Sequence, residues 1–470
     1  MATTYLKRTA GTSTENYKYT FSAWVKRTGV LGASSANEVL FSNYADSSNA
    51  SYIRFEDADD NLQVYDKYGS TIDLNYKTNM KFRDCSGWYH IVVNVDGTRS
   101  VNERCKIYVN GSEVSCSSTT DTGGTLAMKT VTTANAMRLG NQDTGGGEYY
   151  FNGLMSHVHY IDGTGYDASY FGETDATTGE WKIKTSVSVT YGNNGFSILQ
   201  DGNTITDQSS NSNDFTLGGG TLTNTEDCPS DVFCTLNPLN NTVSGTSPTL
   251  INGNNYSTTG GVSASNFGGS GTLGLKKGVW YYEGLVVTSG NDNLRSVFGI
   301  NSDPATTAKN NQEAQWNRWS YCWKGYNGGW WTNTNATGGN GTENGSYLNT
   351  YTNGDYIGVY FDLDNNKMLF TKNGTLERSG VSMTITAPAD TNTGFYFPIY
   401  TAGHSVWVSS AKLNFGNGVF GSTALTGTED TDWFRDAGGK GKFKYNPTQT
   451  IDSTTWNARA ICLKNINTYG

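Results

Sequence analysis

Several groupings in this chain have the residue types and spacing that chemistry needs. Acids come first. Hydrolysis of a glycosidic bond takes two carboxylates facing one cleft, which a strand can supply as Glu-x-Asp-x-x-Glu. That pattern is absent. The nearest approaches are FEDADD (Phe55–Asp60), which reads as an acidic turn between strands, and Asp362 with Asp364 in DLD, at a strand end. Neither makes a catalytic pair, so the expectation is a chain that is not an enzyme. His157 and His159 in SHVHY would share one strand face at i, i+2, a spacing that can chelate a metal. No third ligand is evident, and structural roles are expected for both. GGSGTLGLKKG (Gly268–Gly278) is rich in glycine and lysine. It lacks the Gly-x4-Gly-Lys-Ser/Thr spacing of a phosphate loop and leads into a strand rather than a helix, so it reads as a plain loop.

Aromatic residues form the most conspicuous grouping. QWNRWSYCWKGYNGGWW (Gln315–Trp331) holds seven, five of them tryptophan. If Arg318–Gly325 is a strand, alternation puts Trp319, Tyr321, Trp323 and Gly325 on one face and Ser320, Cys322, Lys324 and Tyr326 on the other. A two-residue turn at Asn327-Gly328 pairs Gly325 with Trp330 and Lys324 with Trp331. A turn at Gly328-Gly329 changes the partners and keeps the parity, whereas a three-residue loop would reverse it. Trp319, Tyr321, Trp323 and Trp330 are therefore expected in a core, with Trp330 covering the bare Gly325. The opposite face carries Lys324 and is expected to reach solvent or a partner, because an unpaired buried ammonium is costly. Contact with a ligand then falls to Trp316, Tyr326 and Trp331, the last with Lys324 placed for a cation–π contact.

The elements that must position these residues are strands. In 470 residues there are 57 glycines and 7 prolines, and only 16% of residues are charged. Asn, Thr, Ser and Gly fill the polar stretches, where helices would show Glu, Lys, Ala and Leu. Alternating runs such as YTFSAWVKR, WYHIVVNV, CKIYVNGSEV and GVWYYEGLVVT are separated by turn residues. Asn110-Gly111, between two such runs, is a strong hairpin signal. The pattern predicts an all-β chain of sandwich or barrel type. GWYHIVVNVDG…CKIYVNGSEV is echoed by GDYIGVYFDLDNNKMLFTKNGTLE, as two sandwiches of related topology would produce.

Length predicts two or three domains. Net charge is −9 without a basic block, which argues against nucleic acid. No apolar run is long enough to span a membrane. No secretory signal is apparent, so the seven cysteines are expected as thiols in a chain folded in a cytoplasm.

Two families are resembled. YTFSAWVKR, GWYHIVVNVD, KIYVNGSEV, LGNQ and FNGLMSHVHYIDG resemble a concanavalin A-like, laminin-G-type jelly roll. GVWYYEGLV, VFGI, GDYIGVYFDLDNNKMLFTKNG, FPIYTAG and KLNFGN are similar to a SPRY domain. The segments FGETDATTGEWKIK, YGNNGFSIL…DQSSNSNDFT, CTLNPL and KFKYNP…ARAICLKNI look like a family of tailed-bacteriophage virion proteins that joins two such domains. The resemblance implies two tandem jelly-roll β-sandwiches: residues 1–190, a polar linker or extension of the first domain at 191–245, and 246–470 as the SPRY-like sandwich with a C-terminal extension. It also implies a homo-oligomeric, trimeric tail fibre or tail-associated receptor-binding protein. That protein would be assembled in the host cytoplasm, carried on the virion, and bound to other virion proteins and a host surface glycan. The chain starts almost directly at its first strand, where such fibres carry an attachment segment. This favours a capsid decoration or head-fibre protein as one alternative, with a glycan-degrading enzyme as another. No cofactor is expected. Some laminin-G domains hold Ca²⁺, but no Asp cluster here is specific enough to assign it.

Overall fold

The computed structural model describes residues 3–28, 37–122, 136–144, 147–200, 202, 204–243, 249–258, 267–288, 296–303, 319–325, 327–334, 341–402 and 409–470. The chain divides into two compact units, Met1–Asn224 and Thr225–Gly470. The segment 191–245 is split by this division. Phe196–Ile198 and Thr216–Gly219 are strands of the first unit, and Leu236–Val243 is a strand of the second.

Among the described residues, the first unit is built on antiparallel sheets of eight and six strands. The larger runs in the order Cys116–Asp121, Thr71–Lys81, Asn61–Tyr68, Asn49–Phe55, Glu38–Asp46, Ala136–Leu139, Tyr5–Thr9 and Thr216–Gly219. The smaller runs Phe196–Ile198, Gly153–Asp162, Lys18–Arg27, Tyr89–Asp96, Cys105–Val109 and Ser112–Val114. Tyr19, Phe21, Ala23 and Val25 alternate inward from the strand Lys18–Arg27 and join one core with Phe41, Ile53, Val64 and Tyr160. This is an all-β sandwich, as the alternation predicts.

The second unit repeats the plan. Seven strands form one sheet: Leu236–Val243, Phe267–Gly271, Phe397–Ala402, Val297–Asn301, Ser320–Lys324, Gly329–Asn333 and Thr342–Ser346. The facing sheet centres on Val279–Thr288, with Tyr356–Asp362, Lys367–Lys372 and Thr375–Leu376 on one side and Ser409–Asn414 and Tyr256–Thr258 on the other. Trp280, Tyr282, Phe298, Trp323, Val359 and Phe370 are among the buried residues between the two sheets.

The sequence echo is structural and extends to its turns. Tyr89–Asp96, Cys105–Val109 and Ser112–Val114 match Tyr356–Asp362, Lys367–Lys372 and Thr375–Leu376 in order and pairing. Each hairpin closes on Asn-Gly with positive φ at both residues, 48° and 84° at Asn110-Gly111 and 50° and 78° at Asn373-Gly374. Only a primed turn has those angles, and its twist suits the flanking strands. In each, the asparagine Oδ1 accepts a backbone N–H from the neighbouring strand, from His90 at 2.8 Å and from Tyr356 at 2.8 Å. A β-carbon on Gly111 would collide with the Trp181 ring, and one on Gly374 with the Tyr445 ring.

Trp181 and Tyr445 belong to segments that cover the outer face of a sheet in each unit. In the first, Phe171, Trp181, Val187 and Tyr191 pack over Val92 and Ile161. His90 lies beneath them. Trp181 Nε1 donates to His90 Nδ1 at 2.9 Å, and Trp24 stacks on the imidazole at 4.8 Å. Indole N–H only donates, so Nδ1 must accept, and Nε2 carries the proton toward Ser22 Oγ, 2.9 Å away. In the second unit, Phe443, Ile451, Trp456 and Ala460 cover Tyr281, Tyr360 and Leu369. Here the buried polar group is Glu283. Its carboxylate accepts from the backbone N–H groups of Lys444 (2.9 Å) and Tyr445 (2.8 Å), from Tyr281 Oη (3.1 Å) and from Asn414 Nδ2 (3.3 Å).

These two tethers titrate in opposite senses. Burial pushes His90 and His159 down to about 3 from an ordinary 6.5, and pushes Glu283 up to about 7 from 4.5 against its four donors. The unfolded histidines bind the extra protons, so their contribution is full above about pH 6.5 and falls as pH drops toward 3. Folded Glu283 binds the extra proton between about pH 4.5 and 7, so its contribution is full below that window and is lost as pH rises through it. Raising the pH from 5 to 7 should therefore strengthen hydrogen-exchange protection in the first unit and weaken it under the C-terminal covering segment of the second. Glu283→Gln should abolish the second trend and leave the first.

Candidate functional site

The aromatic hairpin lies in the seven-stranded sheet of the second unit. Trp316 and Tyr326 lie outside the described residues. Tyr321, Trp323 and Trp330 are buried in the core, and Trp319 packs partly against it. The expected parity holds, but the register differs. Trp330 lies opposite Trp323 and Trp331 opposite Cys322, a register that neither two-residue turn gives. Gly325 is covered by Tyr351, whose ring a β-carbon would meet at 2.5 Å. Tyr351 Oη also donates to the carbonyls of Ser296 (2.6 Å) and Trp323 (3.0 Å), locking the turn to the sheet.

The opposite face differs from the expected open surface. Lys324 is only 4% exposed, and its ammonium lies 4.5 Å from the centroid of the half-buried Trp331 ring. The expected cation–π pair is present, but its ammonium is buried and only the ring is partly exposed. Trp331 packs on Val297, Cys322 and Ile399, a second small core. Strand alternation identifies which residues share a face; it does not show whether that face is exposed.

The acids singled out in the sequence are engaged in structure. Asp60 is fully buried and ion-paired with Arg27 (3.2 Å) and Arg83 (3.1 Å), while Arg27 also meets Glu38 at 2.8 Å. Asp362 closes the turn after its strand by accepting from the N–H groups of Asp364 and Asn365, both at 3.0 Å. Asp364 accepts from Gly278 N–H at 3.0 Å. The histidine pair is broken by a β-bulge between Ser156 and His159, with His157 at φ 49°. His159 Nδ1 bonds Tyr191 Oη at 2.9 Å, and His157 Nδ1 bonds Ser156 Oγ at 2.8 Å. The bulge removes the shared strand face that an i, i+2 chelate would need, and both histidines have the structural roles expected of them. Among the described residues, no group of three His, Cys, Asp or Glu side chains could hold a metal ion, and no helix is long and apolar enough to cross a membrane.

A cleft of about 620 Å³ opens beside the hairpin, which the sequence did not indicate. Its floor is the edge of the core, where Tyr321 and Trp330 stack at 5.9 Å. Thr332, Thr334 and Asn344 line the cleft together with the segment Ser382–Thr386, whose Met383 and Ile385 are buried in the same core. Tyr347 and Arg378 complete the rim. Its residues come from three separated stretches of chain, so no single motif announces it.

Truncation of Trp323 to alanine should cost about 3–5 kcal/mol of stability, as for other buried aromatics. Trp331→Ala should also destabilise, by about 2 kcal/mol, because it uncovers a buried ammonium and the Cys322 cluster. Denaturant unfolding of the two variants checks both, and a Trp331 variant as stable as the parent would contradict the closed face.

Comparison with known proteins agrees with this architecture. Residues 1–164 match the concanavalin A-like lectin/glucanases superfamily in its laminin G form, and residues 279–418 match the SPRY domain. No curated protein sequence matches the chain. Among solved structures, the SPRY domain of human HERC1 is 17% identical, covering 38% of this chain and 96% of its own, with a TM-score of 0.28. The heptameric SAP-like pentraxin of Limulus polyphemus is 14% identical over 43% of this chain and 90% of its own, with a TM-score of 0.28. Domain 4 of the arabinanase AbnA of Geobacillus stearothermophilus, in complex with arabinotriose, is 17% identical over 32% and 64%, with a TM-score of 0.24. None of the three is similar enough to carry a function across. Strand order, core and family matches together establish a laminin-G-type, concanavalin A-like domain followed by a SPRY domain.

Proposed function

We propose that this chain is a non-enzymatic virion structural protein of a tailed bacteriophage, a tail fibre or tail-associated protein that contacts host-surface glycans as a homo-oligomer. The observation that carries the reading is the pairing of a lectin-type sandwich with a SPRY sandwich in which the candidate acids and histidines all serve structure. Binding by loops and concave surfaces is what such scaffolds offer once catalysis is set aside. The virion setting rests on the order of the sequence motifs FGETDATTGEWKIK, YGNNGFSIL and CTLNPL between and around the two domains.

Two measurements test this. Cryo-electron microscopy of the purified particle should place density for both sandwiches on the tail; density on the capsid faces would replace the tail role with a decoration role. The purified chain should be retained on host lipopolysaccharide or capsule without releasing oligosaccharide. Release of sugar would make it an enzyme, and no retention would leave a purely architectural part.

A further inference from the structure

The cleft beside the aromatic hairpin has a composition that core packing does not explain. Alternation along the strand Gly329–Asn333 puts Trp330, Thr332 and Thr334 on one face. That face begins in the core at Trp330 and continues as hydroxyls. A buried continuation would need apolar residues, because an unpartnered hydroxyl in a core is costly. Thr342–Ser346 is the outermost strand of its sheet, and the short strand Met383–Thr384 pairs at the margin of the other. Between these margins the cleft reaches from the buried Tyr321, Trp330, Met383 and Ile385 out to Thr332 and Thr334.

Each wall is braced by specific bonds. Thr386 N–H donates to Tyr321 Oη at 2.8 Å, fastening the segment 382–386 to the aromatic floor. Asn344 Nδ2 donates to Thr332 Oγ1 at 3.1 Å across the other wall. Tyr347 stands at the rim with 69% of its surface exposed, the most exposed of the large apolar and aromatic side chains described.

Arg378 is presented under strain. Arg378 and Ser379 are consecutive non-glycine residues in the left-handed region, at φ 49° and 54°. Such backbone costs on the order of 1 kcal/mol per residue and persists only where the surroundings impose it. Here both sides are clamped. The buried Glu377 carboxylate accepts Asn349 N–H at 2.9 Å and the Asn349 amide at 3.1 Å. Asp452 accepts Ser382 N–H at 2.9 Å and pairs with Lys367 at 2.7 Å. Arg378 Nη1 donates to the Ser382 carbonyl at 3.2 Å, which uses one of five guanidinium donors. Among the described residues lining the cleft, Arg378 is the single charged side chain.

We infer that this cleft is a saccharide-binding site that selects an acidic sugar. One pyranose ring lies against the Tyr347 and Trp330 aromatics, its hydroxyls meet Thr332, Asn344 and Thr384, and its carboxylate meets the planar donors of Arg378. A concave aromatic floor with a few convergent polar groups is how small-molecule sites are built, and a guanidinium fork matches a carboxylate in geometry as well as charge. With a net charge of −9, the chain repels polyanions at long range, so selectivity for an acidic sugar falls to this one local cation. The inference rests on reading the chain as glycan-binding and adds where and what it binds.

The test is retention and titration of the full-length chain on a panel of bacterial surface oligosaccharides, neutral and uronate- or sialate-bearing, for the parent, Arg378→Gln and Tyr347→Ala. Thermal unfolding confirms that each variant folds. The parent should prefer acidic members. Arg378→Gln should lose about tenfold or more of the affinity for them while keeping its weaker binding to neutral members, and Tyr347→Ala should weaken both classes. If the parent binds and neither variant changes it, the cleft assignment falls while the glycan-binding reading stands. Equal binding of neutral and acidic members, unaltered by Arg378→Gln, overturns the acidic preference. Retention of no member overturns the glycan-binding reading and this site with it.

Discussion

Both units depend on one constraint: a sheet buried on both faces. Between the sheets of each sandwich the need is ordinary packing. On the outer face of the second sheet, residues that alternation would leave in water lie under a covering segment instead. Backbone and side-chain polar groups there must find partners in the protein. His90 in the first unit and Glu283 in the second are the side chains on which that satisfaction converges, one bonded to Trp181 and Ser22, the other to four donors. Removing either partner leaves a buried donor or acceptor unmet, at a cost of about 1–3 kcal/mol for each group. The covering segments are therefore part of the fold and not appendages to it.

The same constraint accounts for the likeness of the two Asn-Gly hairpins. A primed turn needs positive φ at both central positions, which Asn and Gly tolerate. That alone would permit other residues at the second position at some cost. The ring of Trp181 or Tyr445 against each glycine removes that latitude, because a side chain would displace the segment that covers the sheet. Strand order agrees from the central long strand outward on that side. It diverges at the far side, where Phe196–Ile198 follows the rest of its sheet in sequence and Thr249–Ile251 and Tyr256–Thr258 precede the rest of theirs. Shared physics at the hairpin thus coexists with different routing at the margin.

What could be read from sequence follows from what periodicity measures. Alternation along YTFSAWVKR puts Tyr19, Phe21, Ala23 and Val25 on one face, which is the buried one, and it separates Trp323 and Trp330 from Trp331 correctly. It could not give the register of the aromatic hairpin, because the turn uses four residues and Tyr351, 26 positions beyond Gly325, holds it there. It failed at His157 and His159, where one bulge suspends the period. Above all it is blind to burial on the outer face of a sheet. Lys324 is buried on the face it shares with Cys322, beside Val297, with its ammonium 4.5 Å from the Trp331 ring centroid.

The cleft follows from the same geometry at the place where the layers run out. A strand whose inner face is covered over only part of its length must change character along it, from apolar where it is covered to polar where it is not. Trp330, Thr332 and Thr334 make that change within five residues. The tryptophan then serves both sides of the boundary. One part of it packs on Phe370 in the core at 5.8 Å, and its remaining exposed edge forms the cleft floor with Tyr321. A floor anchored in a core this way is rigid before any ligand arrives, so a bound ring would not have to order it. The clamped turn at Arg378 extends the same preorganisation to the charge, held between Glu377 and Asp452 in a backbone conformation it would not adopt alone. Aromatic stacking and charge are thus fixed by different parts of the scaffold, one by the sandwich core and the other by the loop clamps, which is why their contributions can be separated by substitution.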